Sequence, residues 1–199
     1  MLPQRIILCD QKPALIAAWE QVFQAEDRVS VVRGDILDQK ADAMLSPANS
    51  FGIMDGGLDA TIRSALGHQV ERDAQSLIVE RYHGELPVGV AEVIPTRHEV
   101  WKWLVVAPTM RVPERVDRTL NAYLCFRAAL LAISRHNMSR SAEPIHSLVA
   151  PGLCTGIGGM LPRRSAAQMK VALAAADNPA RIPPFDTIHL VHQRMLSAT

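Results

Sequence analysis

Two carboxylates, Asp35 and Asp59, lie near the amide of Asn49 and the glycine pair Gly56-Gly57 in the first third of the chain. Each group follows a short apolar stretch, so it stands where a strand gives way to a turn or a helix. Glycines let the backbone approach a phosphate closely, and the N-terminus of a following helix adds favourable partial charge. This combination is what binding a nucleotide diphosphate requires.

A second glycine-rich loop runs from Gly152 to Gly159, again after a short apolar run. Its backbone N–H groups can form an anion site that needs no lysine. We therefore expect the two loops to hold a diphosphate from opposite sides. The candidate contacts in this loop are Gly152, Thr155, Gly156, Ile157 and Gly158.

Composition narrows the class of protein. The chain has 199 residues, 48% of them hydrophobic, which is enough for the core of one domain. Its 21 Lys and Arg residues balance 20 Asp and Glu residues, leaving a formal net charge of +1. That balance argues against a protein whose main function is to bind nucleic acid, although it is compatible with a local basic patch.

The three cysteines, Cys9, Cys125 and Cys154, are far apart and lack CxxC spacing. They indicate neither a disulfide framework nor a structural zinc site, and they fit a reducing compartment. The N-terminus lacks the apolar region of a signal peptide, and no stretch approaches the roughly 18 apolar residues of a membrane span. The sequence therefore predicts a cytoplasmic protein with no membrane partner.

Strand patterns alternate with helical ones, which predicts an α/β sheet with ligands beyond the carboxyl ends of its strands. Neither a dividing linker nor an internal repeat is evident. The predicted strands are Arg5–Cys9, Val29–Val32, Ala43–Leu45, Val88–Pro95, Trp101–Pro108, Ile145–Pro151 and Thr187–Val191. The predicted helices are Pro13–Gln24, one beginning over Asp59–Leu66, Arg118–Arg135 and Arg163–Ala176.

Five short motifs follow one another along the chain: Gly34-Asp35-Ile36, Pro47-Ala48-Asn49-Ser50, Gly56-Gly57-Leu58-Asp59, Ala107-Pro108 and the loop Gly152 to Gly159. Together they resemble the macrodomain family of ADP-ribose-binding modules and hydrolases. Any single motif is weak, but their order and spacing match over about residues 29–176.

The resemblance implies a three-layer α/β/α macrodomain-like fold with a central mixed sheet. Residues 1–199 are then expected to form a single macrodomain. The N-terminal β-α element 1–28 and a C-terminal strand 186–192 would be parts of that domain or additions to it.

The same resemblance implies roles for individual residues. Asp35 would accept a hydrogen bond from the adenine amino group, while the backbone N–H of Ile36 faces the ring. Asn49 would contact the distal ribose, and Asp59 would orient or activate a water near its anomeric carbon. The remaining implied contacts are Ala48, Asp55, Gly56, Gly57, Leu58, Pro108 and the second loop. No cofactor and no metal are implied.

Three positions depart from the family pattern. Asp55 stands where the family usually has a glycine, with Met54 before it, and Ser46 replaces a frequent asparagine. A carboxylate at position 55 could repel the diphosphate, bind a divalent ion or act as an additional base. Asp55 affects the expected substrate and reaction rate more than it affects the expected fold.

Each residue also has a structural interpretation. Asp35 could cap a turn through its own backbone, Asn49 could be an ordinary turn residue, and Asp59 could be favoured by the helix dipole. Gly56-Gly57 could be only a tight turn. Taken together in family order, these residues favour function.

Other residues give weaker signals. Cys154 could be a nucleophile, but no histidine is placed near it by sequence. Trp101 and Trp103 would share one strand face. Their side chains could belong to the core, form a partner surface or stack on a base. His189 and His192 would lie on opposite faces of a strand, which argues against a shared metal. The spacing typical of metal ligands is absent among six of the histidines: His83, His98, His136, His146, His189 and His192.

Three functional hypotheses follow. The first is a hydrolase that removes ADP-ribose from acidic side chains or from O-acetyl-ADP-ribose, through Asn49 and Asp59. The second is a reader that binds ADP-ribose or ADP-ribosylated protein without turnover, which Asp55 favours. The third is a module for another nucleotide or for nucleic acid, suggested by the basic residues between Arg111 and Arg118 and by Arg163-Arg164. The sequence leaves the oligomeric state open.

Overall fold

A mixed six-stranded sheet in the order β2-β1-β6-β3-β5-β4 lies at the centre of the described residues. The computed structural model describes residues 1–139 and 143–198. The strands are β1 (Arg5–Asp10), β2 (Val29–Arg33), β3 (Ala43–Ser46), β4 (Glu92–Pro95), β5 (Trp103–Val106) and β6 (Ser147–Ala150). Only β4 is antiparallel to its neighbour. The mixed sheet expected from the sequence is confirmed.

The N-terminal strand β1 occupies an interior position of this sheet. It pairs in parallel with β2 on one side and β6 on the other, with Ile6 opposite both Val29 and Leu148. Its residues from Ile6 to Cys9 are all buried, as expected for a strand covered on both faces. The N-terminal element is therefore part of the central sheet.

Helices cover both faces of the sheet and complete a three-layer α/β/α fold. Helices α1 (Pro13–Phe23), α4 (Asn121–Met138) and α5 (Pro162–Asp177) pack on one face, where Trp19, Phe126 and Met169 meet Leu8. Helices α2 (Gly57–Leu66) and α3 (Gln69–Tyr82) pack on the other, where Ile62 and Ile78 meet Ile7. The alternation of strand side chains between two clusters explains why these strands read as continuous apolar runs.

The predicted strand over Thr187–Val191 is wrong, because the segment is part of helix α6 (Phe185–Ser197). The five-residue run also fits helical spacing, in which Ile188, Val191 and Met195 share one face, and short runs cannot be assigned by periodicity alone. Met195 is the buried residue that anchors α6 beside α5. His189 and His192 are therefore neighbours on a helix rather than on opposite faces of a strand.

Three smaller differences concern strand and helix bounds. The predicted strand Val88–Pro95 begins only at Glu92, because Gly89 (φ 96°) and the bond from Val90 N–H to Pro87 O form a turn. Trp101 precedes β5 and packs in the α2/α3 face, whereas Trp103 packs against the opposite face, so they do not share a strand face. Helix α3 was not predicted. Only three of its residues are buried, and these lie at helical spacing: Val70, Ala74 and Ile78.

No helix in residues 1–139 or 143–198 has the length and apolar character needed to cross a membrane.

Candidate functional site

A pocket of about 620 Å³ opens at the edge of the sheet where the parallel strands end. It is lined by residues that follow β1, β2, β3, β5 and β6, and by the start of α2. Every site residue predicted from the sequence lines this pocket, with one exception. Those lining it are Asp35, Ile36, Ala48, Asn49, Asp55, Gly56, Gly57, Leu58, Asp59, Gly152, Thr155, Gly156, Ile157 and Gly158.

The exception is Pro108, which is buried after β5 and does not line the pocket. The next two residues, Thr109 and Met110, line it instead. Thr109 is held by its backbone N–H bond to Ala48 O (3.0 Å) and by its hydroxyl bond to Pro47 O (3.2 Å). At the end of this strand the chain turns the residues that follow the motif, not the proline, toward the pocket.

Asp35 caps the short 3₁₀ turn Ile36–Asp38 at one end of the pocket. Its Oδ1 accepts a hydrogen bond from the Leu37 N–H at 2.9 Å, so the structural interpretation of Asp35 holds. The residue is nevertheless exposed and lines the pocket, and a carboxylate has a second oxygen that can accept a bond from a ligand. Capping and ligand binding are compatible at this position.

Asn49 organises the loop that follows β3. Its Nδ2 donates to Ile53 O at 2.7 Å, and its Oδ1 accepts from the N–H groups of Phe51 (3.1 Å) and Ile53 (3.3 Å). The interpretation as a turn residue is therefore satisfied too. One N–H of the amide remains for a ligand, because Nδ2 carries two hydrogens.

Asp59 lies in the first turn of α2 and is bound to the end of β3. The Ser46 hydroxyl, which is buried, donates to Asp59 Oδ1 at 2.6 Å. Burial raises the pKa of Asp59 to about 6, and the hydrogen bond from Ser46 acts in the opposite direction. A carboxyl group with a pKa near neutrality inside a pocket is suited to general acid–base chemistry. The sequence singled out Ser46 only as a mild departure and missed this contact.

The first glycine pair and Asp55 form the rim above Asp59. Gly57 has a left-handed backbone (φ 56°), while Gly56 is extended and precedes α2. Asp55 is exposed, lines the pocket and has no left-handed φ, so the backbone there does not require a glycine. Asp55 therefore adds charge to the rim without straining the chain.

The second loop is shaped by tight packing. A Cβ on Gly158 would lie 2.7 Å from Cys154 O and 2.8 Å from Val116 Cγ2. The loop is closed by bonds from Met160 N–H to Cys154 O (2.9 Å) and from Val116 N–H to Gly158 O (2.9 Å). Within the described residues, the backbone N–H groups at positions 155 to 157 make no hydrogen bond, which leaves them for an anion in the pocket.

The β1–α1 loop also reaches the pocket, although the sequence did not predict it. Asp10, Gln11 and Lys12 line the pocket, and the Lys12 ammonium donates to Thr155 O at 2.9 Å. The interior place of β1 could have revealed these residues, since parallel strands end at one sheet edge. Without the strand order, nothing in the local sequence marks them.

The remaining candidates do not form a second site. Burial raises the pKa of the Cys154 thiol to about 12, which disfavours the thiolate that a nucleophile needs. Over residues 1–139 and 143–198, no group of three His, Cys, Asp or Glu side chains is arranged to hold a metal. Residues of the basic segments are engaged within the fold: Arg111 pairs with Glu85 at 2.8 Å, Arg115 pairs with Asp117 at 3.4 Å, and Arg164 donates to Asp117 O at 2.7 Å.

Comparison with known proteins agrees with this architecture. Residues 45–169 match the family model of the macro domain. A protein of Aquifex aeolicus described as uncharacterized is 32% identical over 143 residues, which are 72% of this chain and 78% of that protein. A mutant of the Oceanobacillus iheyensis macrodomain, solved with ADPR, aligns with a TM-score of 0.59 at 18% identity, covering 82% of this chain and 88% of that one. The chain belongs to the macro domain family.

Several relatives carry an enzyme name. An O-acetyl-ADP-ribose deacetylase of Escherichia fergusonii is 30% identical over 153 residues, which are 73% of this chain and 77% of that protein.

Proposed function

We propose that this protein binds ADP-ribose in the pocket and hydrolyses ADP-ribosyl esters, either on acidic side chains of proteins or in O-acetyl-ADP-ribose. The observation that carries the proposal is Asp59, a carboxyl group with a pKa raised to about 6 in a pocket bordered by two glycine-rich loops. The deacetylase name of several relatives supports the same substrate class.

In this proposal ADP-ribose lies along the pocket, with its adenine at Asp35 and its distal ribose at Asp59. Asp35 accepts from the adenine amino group, and the loop at positions 155 to 158 binds the diphosphate through its N–H groups. Asn49 and Asp59 then lie at the distal ribose. A neutral backbone site of this kind agrees with the modest net charge of +1.

Asp59 supplies the chemistry at the distal ribose. In the ester of an acidic side chain, its carboxylate accepts a proton from water as the water oxygen bonds to the anomeric carbon and the bond from that carbon to the ester oxygen breaks; in an O-acetyl ester the same base would activate water for attack on the acyl carbon, with the ribose hydroxyl as leaving group. The released carboxylate and ADP-ribose are the products. The Ser46 hydroxyl fixes Asp59 Oδ1 and leaves Oδ2 for the water. Partial positive charge at the anomeric carbon is stabilised by the same carboxylate.

Replacing Asp35 tests the binding half of the proposal. Asp35→Asn keeps an oxygen that can cap the Leu37 N–H, but it presents an N–H donor to the adenine amino group. We expect calorimetric titration to show ADP-ribose bound about tenfold more weakly, with a reduced preference over GDP-ribose.

Asp38→Asn is the matched control, because Asp38 lies in the same turn but does not line the pocket. Failure of the parent protein to bind ADP-ribose would reject the proposed function. Unchanged affinity in Asp35→Asn would reduce Asp35 to a capping residue.

The pH dependence of turnover tests the role of Asp59 as a base. The ionised form dominates above its pKa, so activity is expected to rise with pH through about 6 and to be lost below it. Because the Ser46 hydrogen bond lowers that pKa, Ser46→Ala should move the midpoint of the profile to higher pH.

Ser64→Ala serves as the comparison, since Ser64 is exposed on the same helix and bonds only to Ala60 O at 2.9 Å. If the parent, Ser46→Ala and Ser64→Ala gave identical profiles of turnover against pH, the ionisation of Asp59 would not control turnover.

A non-catalytic ADP-ribose reader is the second candidate function. Two observations favour it: the Asn49 amide is already bonded within its own loop, and Asp55 adds a carboxylate to the rim. Release of ADP-ribose over several turnovers from a modified protein, at protein concentrations far below the substrate, would exclude this candidate.

A further inference from the structure

Carboxylates outnumber cations in the pocket. Asp10, Asp35, Asp55 and Asp59 all line it, whereas Lys12 is the single Lys or Arg residue among the lining residues described by the structure. A diphosphate brings more negative charge into this space, and like charges a few ångströms apart repel. The backbone N–H groups of the glycine-rich loops contribute only partial charges. A full positive charge near the diphosphate would offset this repulsion.

Lys12 is positioned for that role by two contacts of the β1–α1 loop. Its Nζ donates to Thr155 O at 2.9 Å, which places the ammonium against the loop whose N–H groups are open. Its backbone N–H donates to Asp10 Oδ1 at 2.9 Å, and Asp10 Oδ2 accepts from the Gly152 N–H at 3.3 Å. The loop after β1 is therefore fastened to both ends of the segment 152–155.

The ammonium has capacity left for a ligand. A lysine side chain carries three N–H donors, and the contact with Thr155 O uses one of them. Among the ion pairs of residues 1–139 and 143–198, none involves Lys12, although four carboxylates line the same pocket. A cation held by a neutral carbonyl keeps its charge available.

We propose that Lys12 is a diphosphate-binding residue. Its ammonium is held by the carbonyl of Thr155 and donates its remaining hydrogen bonds to the phosphates. The proposal rests on the proposed function, because it names the part of ADP-ribose that Lys12 recognises. It gives the N-terminal β-α element a direct part in the site, beyond its place in the sheet.

Titration of ADP-ribose, ADP and adenosine into Lys12→Gln, at low and high salt, tests the proposal. We expect ADP-ribose and ADP to bind about tenfold more weakly at low salt, because a charge-assisted hydrogen bond is lost. Adenosine, which has no phosphate, should bind as it does to the parent. The difference between the parent and Lys12→Gln should shrink at high salt, where exposed charges are screened.

Two further variants sharpen the comparison. Lys12→Arg keeps the charge and should restore most of the affinity, and Lys40→Gln removes the same charge from an exposed residue outside the pocket and should change nothing. Equal weakening for adenosine and ADP would show that Lys12 only shapes the loop, and unchanged affinity for ADP-ribose would show that it does not contact the ligand. Either result overturns the proposal while the proposed function stands. Failure of the folded parent to bind ADP-ribose would overturn both.

Discussion

Asp59→Asn is expected to reduce hydrolysis of ADP-ribosyl esters by about 10² to 10⁴, the range typical of losing a general base. The substitution keeps the shape of the side chain and an oxygen that can accept from the Ser46 hydroxyl, so the pocket stays formed. It removes the group that takes the proton from water. Affinity for ADP-ribose should change little, since the carboxylate acts on the water rather than on the diphosphate. Single-turnover release of ADP-ribose and calorimetric titration measure the two quantities.

Thermal unfolding separates this loss of activity from a loss of folding. The pKa of Asp59 in the folded state, about 6, exceeds the ordinary carboxyl value, so the folded state binds the proton more tightly than the unfolded state. The contribution of Asp59 to stability therefore falls as pH rises through this window, and the charged form is unfavourable in the fold above about 6. Asp59→Asn should consequently unfold at the same temperature as the parent or higher at neutral pH.

Asp186→Asn is the matched control, because Asp186 occupies the first turn of α6 on the surface, as Asp59 occupies the first turn of α2. It should retain full activity. Full turnover in Asp59→Asn would rule out the proposed mechanism and leave the pocket as a binding site.

Gly158→Ala is expected to destabilise the protein and to disrupt the second loop. The new methyl group would lie 2.7 Å from the backbone oxygen of Cys154 and 2.8 Å from Val116 Cγ2, so the loop must shift. Overpacking of this kind costs about 1–3 kcal/mol, which lowers the unfolding temperature of a chain of this size by roughly 2–12 °C. Because the same loop presents the N–H groups at positions 155 to 157, ADP-ribose should also bind about tenfold more weakly.

Gly156→Ala provides the comparison within the same loop. Nothing lies within 4 Å of a Cβ at Gly156, and its φ is not in the left-handed region. Its unfolding temperature should match that of the parent in a differential scanning measurement. Equal unfolding temperatures for Gly158→Ala and Gly156→Ala would show that the loop accommodates the methyl group and that the packing at Val116 does not constrain it.

Much of this site could be predicted because its residues follow strands directly. Asp35, Asn49 and the loop at Gly152 each come within a few residues of the end of a strand, and the strands before Asn49 and Gly152 are fully buried. Parallel strands end at one sheet edge, so residues far apart in the chain meet there. Pro108 shows the limit of this reasoning, since the motif lay at the right strand end while the proline itself is buried.

The C-terminal helix shows a different limit. The run over Thr187–Val191 has the composition of a strand, and its local sequence does not exclude one. The sheet position between β2 and β6 is filled by β1, and the segment instead packs beside α5 through Met195. That packing is a tertiary contact with α5, which the composition of the five-residue run does not encode.

The sequence by itself determined the apolar strands, the glycines and the polar residues at strand ends, because these depend on side-chain type and short-range spacing. Only the tertiary structure decided which distant groups touch. It bound Ser46 to Asp59, which helps to set the pKa of that carboxyl group, and it brought Lys12 to Thr155. Burial and electrostatic contact are properties of the folded chain, and they arise only once strand order has brought separate segments together.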